Sequence, residues 1–205
     1  MTIIIIIITV FVSIIALTNP EVFSKLKFNP YSIKNYSNQW YRFFSYGVIH
    51  ASWVHLAINM FVLYSFGDLV ESYYGFYFGL KAHFLFLLLY IGAIFISVIF
   101  SFEKNKNNIA YNAVGASGAV SAVVFASILF NPTMKIFLFF IPIGIPAVIF
   151  GVLYLIYSAY MSKKNLDNIG HDAHFFGAIF GIIFTIILKP QLAVMFIAQV
   201  SAYFS

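Results

Sequence analysis

Gly115-Ala116-Ser117-Gly118 opens one apolar run of this chain, and Ala173-His174-Phe175-Phe176-Gly177 opens another. Each places a polar side chain near the start of a segment otherwise suited to hydrocarbon. A polar group inside a membrane is costly, so such residues face the interior of a helix bundle. Whether Ser117 and His174 meet depends on how the chain threads the membrane.

Of the 205 residues, 62% are hydrophobic and 8% charged, and mean hydropathy is +0.96. A soluble domain carries about 25% charged residues. Six apolar runs approach the span of a bilayer, about 20 residues with allowance for tilt. They are Thr2–Leu17, Ser45–Phe66, Lys81–Phe100, Asn112–Phe130, Lys135–Met161 and His171–Leu188. The runs are continuous rather than alternating, and only helices or closed barrels satisfy backbone groups in lipid. The sequence therefore predicts an all-α membrane protein, a bundle of six transmembrane helices. No polar stretch is long enough to fold separately, so one membrane domain is expected over residues 1–189. Residues 190–205 are too short to cross. Their Gln191, Gln199, Ser201 and Ser205 fall within an arc of roughly 160° at about 100° per residue, which predicts a helix lying in the interface.

Met1–Leu17 has no basic leading region and no small-residue cleavage site, and reads as a retained span rather than a signal peptide. Its six consecutive isoleucines carry no chemistry. Cysteine is absent, which removes disulfide and thiolate chemistry. The net charge of +5 is spread through loops. That speaks against nucleic acid and for contact with anionic head groups.

With six spans, the first, third and fifth loops share one face. Span two starts there and carries His50, His55 and Asn59; span four carries Ser117; span six carries His171 and His174. Gly115 and Gly118 flank the serine and allow close approach of another backbone. The serine lies near a helix N-terminus, where free N–H groups stabilise an oxyanion. Gly177 and Gly181 continue the His174 helix as a small-residue stripe, opposite Gly118, Ala122 and Ala126 on span four, and such stripes permit close crossing. That crossing brings His174 toward Ser117 as a general base. His55 and Asn59, four residues apart, share a helical face as candidate donors to an oxyanion. His171, one turn away, is the rival base. Asp167 and Asp172 are candidates to orient a histidine, but Asp172 points to a different face from His174, so no triad is invoked. The segment Ser162–Gly170 is a candidate lid. Arg42 and Glu71 stand at opposite ends of span two and read as structural loop anchors.

Together these residues resemble the rhomboid family of intramembrane serine proteases. The resemblance runs from Trp40-Tyr41-Arg42 through His50, His55 and Asn59, then Glu71 and Gly75, to Gly115-Ala116-Ser117-Gly118 and Ala173-His174 with Gly177 and Gly181. It implies a Ser117 nucleophile and a His174 base. It also implies an oxyanion hole of the Ser117 N–H, His55 and Asn59, with Arg42 and Glu71 as fold-stabilising loop residues. It implies transmembrane helices of other proteins as substrates, the lipid bilayer as setting, and neither metal nor cofactor. Family members place a tyrosine one turn after the serine, where the histidine ring packs; this chain has Ser121. Lysines and Arg42 are more numerous on the Ser117 face, which by the positive-inside rule would be cytoplasmic. The resemblance instead implies an extracytoplasmic site, and that orientation is adopted; the compact six-span layout without a large soluble domain points to a bacterial inner membrane. Two rivals differ in kind: an inactive rhomboid-like protein that binds membrane clients, and a metalloenzyme using His50, His55, His171 and His174.

Overall fold

The computed structural model describes residues 1–138, 141–164 and 170–205. Among them the elements run α1 (Thr2–Thr18), α2 (Pro20–Leu26), α3 (Pro30–Asn35), α4 (Arg42–Ser45), α5 (Trp53–Phe78), α6 (Ala82–Asn105) and α7 (Ser117–Phe130). The antiparallel strands β1 (Lys135–Leu138) and β2 (Ile141–Pro146) follow, then α8 (Ala147–Lys164), α9 (His171–Leu188) and α10 (Gln191–Phe204).

The centre is α7. Every residue from Gly118 to Phe130 is buried, and the helix packs against α5, α6 and α9. A helix that is apolar all round belongs inside a bundle. The outer helix α1 shows the opposite arrangement. Thr2, Ile5, Thr9, Ser13 and Ala16 face inward at helical spacing, while Ile3, Ile4, Ile7 and Ile8 face outward. Isoleucines suit lipid, and three of the helix's hydroxyls, on Thr2, Thr9 and Ser13, are turned to the interior.

The long first loop is folded. Asn19 and Asn29 cap α2 and α3, each followed by proline in the first turn, the pairing expected at helix starts. The Asn29 amide also donates to Ile109 O and Tyr111 O, both at 3.2 Å, and Phe28 pairs with Ala113. The first and third loops therefore sit together on one face. Arg42 is buried and holds the loop from below, donating from Nη1 to Ser24 O at 3.0 Å and Lys27 O at 2.7 Å, and from Nε to Gln39 at 2.6 Å. Arg42→Ala is expected to cost about 1.5–3 kcal/mol, as for hydrogen bonds to a charged group, with Arg42→Lys restoring little of it. Thermal unfolding in detergent checks this.

Several expected boundaries move, and α6 runs to Asn105 rather than Phe100. Span two was expected over Ser45–Phe66; α5 instead starts at Trp53, where Ser52 caps His55 N at 3.2 Å, and continues to Phe78. Glu71 thus lies inside a helix rather than in a loop. Its carboxylate accepts from Met1 N at 2.6 Å, Thr2 N at 2.7 Å and His83 at 2.8 Å, which pins α1 against α5 and the start of α6. Span four was expected from Asn112, but α7 starts at Ser117, because Ala113 is committed to Phe28 and Gly115 has φ +113. Span five was expected from Lys135. Residues 135–138 and 141–146 instead pair as antiparallel strands, since Pro142 and Pro146 interrupt helical hydrogen bonding and Gly144 disfavours it, and α8 follows.

By length and hydropathy, two helical stretches among the described residues suffice to cross a bilayer. One is Trp53–Asn105, which a 3₁₀ turn at Gly79–Lys81 divides into α5 and α6; the other is α9. α1, α7 and α10 are apolar and shorter. Residues 190–205, expected as a helix, form α10, anchored by Lys135 Nζ to Tyr203 OH at 2.9 Å.

Candidate active site

Ser117 is the first residue of α7, and the turn before it is shaped from both sides. Gly115 adopts φ +113, a region that favours glycine, and its N–H donates to Tyr46 O at 2.9 Å. A side chain there would come within 2.6 Å of His55 Cε1. His50 backs the turn and is fully buried. Its Nε2 accepts from Ala116 N at 3.4 Å, and its Nδ1 lies 2.9 Å from Ser13 Oγ. Acceptance at Nε2 places the proton on Nδ1, which then donates to Ser13, whose hydroxyl donates to Val48 O at 3.0 Å. His50 is thus a structural strut from α1 to the serine turn.

His174 lies in the first turn of α9. Its Nε2 is 2.7 Å from Ser117 Oγ, the distance of a working hydrogen bond between hydroxyl and base. Close crossing of α7 and α9 makes this contact. A methyl on Gly177 would overlap the Gly118 carbonyl, and one on Gly181 the Ala122 carbonyl. Ser97 of α6 fills the notch beside Gly118 and Gly177. The N-cap of α7 is Ala116, which offers no side chain to the first-turn N–H groups. Those donors are available to an anion at Ser117.

Ser117, His174, His55 and Asn59 line one cavity of about 1250 Å³. Asn59 Nδ2 donates to the His55 carbonyl at 2.9 Å, a bond along its own helix. His171 is 4% exposed, with its ring edge-on to Tyr157 at 5.4 Å and to His174 at 5.9 Å. The Asp172 carboxylate accepts from the Ser101 hydroxyl, and also from Ala173 N at 2.9 Å. It therefore ties the start of α9 to the end of α6. Tyr111, on the third loop, also lines the cavity; burial pushes its phenol up, and the nearby Asp172 carboxylate adds to that. Arg42 and Glu71 are not part of the lining. Asp167, and most of the segment read as a lid, lie outside the described residues.

One lining residue has no counterpart in the sequence reading. Tyr154 of α8 places its ring nearly parallel to that of His174, with centroids 6.3 Å apart and 24° between planes. Its hydroxyl is 2.6 Å from Ser121 Oγ. Ser121 departing from the tyrosine of the family pattern is the only sign in the sequence that a ring must come from elsewhere.

The family model for the rhomboid domain matches residues 37–191. Rhomboid-like protein 11, chloroplastic, from Arabidopsis thaliana is 32% identical over 161 residues, 73% of this chain and 53% of that protein. The rhomboid protease GluP of Bacillus subtilis (strain 168) is 30% identical over 142 residues, 69% of this chain and 25% of its own length. The chain spans about half or less of the curated relatives it matches. With a domain match over most of its length, the chain belongs to the rhomboid family of integral membrane proteins.

Proposed function

We propose that this chain is an intramembrane serine endopeptidase that cuts transmembrane segments of other proteins with a Ser117–His174 dyad. The observation that carries it is the 2.7 Å approach of Nε2 to Oγ at the uncapped head of α7. Ser117 Oγ attacks the scissile carbonyl carbon while its proton passes to His174 Nε2. The oxyanion is held by the Ser117 N–H together with the side chains of His55 and Asn59, the latter turning from the His55 carbonyl. His174 then protonates the departing amine, and a water, activated by the same nitrogen, hydrolyses the acyl-enzyme.

The cavity has two characters, and they suit these two needs. Lys104 and Asn105 at the end of α6, with Lys27 and Asn108 from the loops, line it with polar groups and admit water. Val54, Ile58 and Val62 of α5, with Phe150 and Met161 of α8, line it with apolar surface suited to a substrate helix arriving sideways. In this reading α1, α5, α6, α7, α8 and α9 make six crossings within one domain over 1–189, and α10 lies in the interface. The site faces the extracytoplasmic side of a bacterial inner membrane.

The test is cleavage of a fluorescent single-span reporter, with small residues near one end, in lipid vesicles. Wild type is expected to cut it, and EDTA to leave the rate unchanged. Loss on chelation with recovery on added zinc would favour a histidine-bound metal instead. Stable binding of the reporter without cleavage would favour client binding.

A further inference from the structure

We propose that Tyr154 of α8 is the positioning residue for His174, taking from another helix the part that Ser121 cannot play. The inference rests on the dyad reading above. An imidazole that must accept a proton from Ser117 Oγ and return it to a leaving amine has to keep its plane fixed through both steps. On α7 the residue one turn beyond the nucleophile is Ser121, which carries no ring. Tyr154 reaches the same place from α8. Its ring lies offset and near-parallel to the imidazole, 6.3 Å between centroids at 24°, within the range of favourable aromatic pairs. Its phenol oxygen is 2.6 Å from Ser121 Oγ, and Phe125 at 5.6 Å and Phe150 at 5.7 Å flank the ring. Serine at 121 is what makes room and supplies the hydroxyl that fixes the tyrosine. The pair Ser121–Tyr154 thus replaces one larger residue on α7 with two residues on facing helices. Nucleophile and histidine support consequently stand on different helices, and α8 is also a wall of the proposed substrate cavity.

The experiment compares Tyr154→Phe, Tyr154→Leu, Tyr154→Ala and the double variant Tyr154→Ala with Ser121→Tyr. Each is read by the rate of labelling with a fluorophosphonate probe, by kcat and KM on the vesicle reporter, and by thermal unfolding. Tyr154→Ala and Tyr154→Leu are expected to lower kcat and the labelling rate by about 10- to 100-fold, the usual effect of a misplaced catalytic group, with KM nearly unchanged. Tyr154→Phe keeps the ring and is expected within about threefold of wild type. The double variant returns a ring from α7 and is expected to recover most of the lost rate. Tyr154→Leu folding as wild type with unchanged kcat overturns the inference, whether or not the alanine variant folds. So does a loss that appears only in KM, or one that neither Phe at 154 nor Tyr at 121 repairs. In those cases wild type still labels, and the dyad stands. Wild type that folds and does not label removes the dyad and this inference with it.

Discussion

Alanine at Ser117 or at His174 is expected to lower reporter cleavage by at least about 10⁴-fold, because nucleophile and base act as one unit. The serine hydroxyl is a poor nucleophile at neutral pH without a base at hydrogen-bond distance, and the base here is 2.7 Å away. Removing either partner leaves the oxyanion donors and the bound substrate, which retain only a small residual acceleration. The double variant is therefore expected to be no slower than the worse single variant. Ser117→Ala removes one oxygen from a half-buried site and is expected to unfold at nearly the wild-type temperature. Single-turnover cleavage in vesicles, with thermal unfolding beside it, checks both. Residual cleavage within tenfold of wild type in folded Ser117→Ala would remove the nucleophile assigned here.

Valine at Gly181 is the second large effect, and it acts through geometry rather than chemistry. Lipid offers no hydrophobic drive between helices, so α7 and α9 are held by the closeness of their backbones. A first methyl at Gly181 already overlaps the Ala122 carbonyl oxygen and lies 2.7 Å from Ala122 Cα. These are backbone atoms, so the helices themselves must part. Overpacking of this kind costs about 1–3 kcal/mol or more. Parting the helices by about 1 Å also draws His174 from Ser117, for which a rate loss of about 100-fold is expected. Gly75→Ala is the control. It is also helical, but a methyl there meets nothing within 4 Å, so activity is expected to stay unchanged and stability to rise slightly. Equal behaviour of Gly181→Val and Gly75→Ala would show that close crossing does not set the site.

The membrane character and the helical class were legible because lipid allows few solutions. Residues 171–188 were bounded correctly because Gly170 precedes the run and Lys189-Pro190 closes it. Residues 67–78 were misread as loop because Asp68, Glu71 and Gly75 dilute the hydropathy. Glu71 is held there by hydrogen bonds from the Met1 and Thr2 nitrogens and from His83, a long-range fact that no local window contains. Residues 135–146 were misread for the opposite reason. Their composition is apolar enough for a span, and only the spacing of Pro142, Gly144 and Pro146 resists helix. At the site, Ser117, His174, His55 and Asn59 could be placed at one depth by counting spans. Tyr154 could not, because nothing on α8 indicates which of its tyrosines turns inward. Ser13 gives no signal of its own in the sequence, because its partner His50 stands 37 residues away.

The most direct test of the dyad is fluorophosphonate labelling of the folded protein in vesicles, with the adduct mapped by mass spectrometry. The expected result is a single adduct on Ser117, formed in wild type and absent in Ser117→Ala and His174→Ala, but retained in His171→Ala. An adduct on another residue, or labelling that survives His174→Ala and fails in His171→Ala, would contradict it.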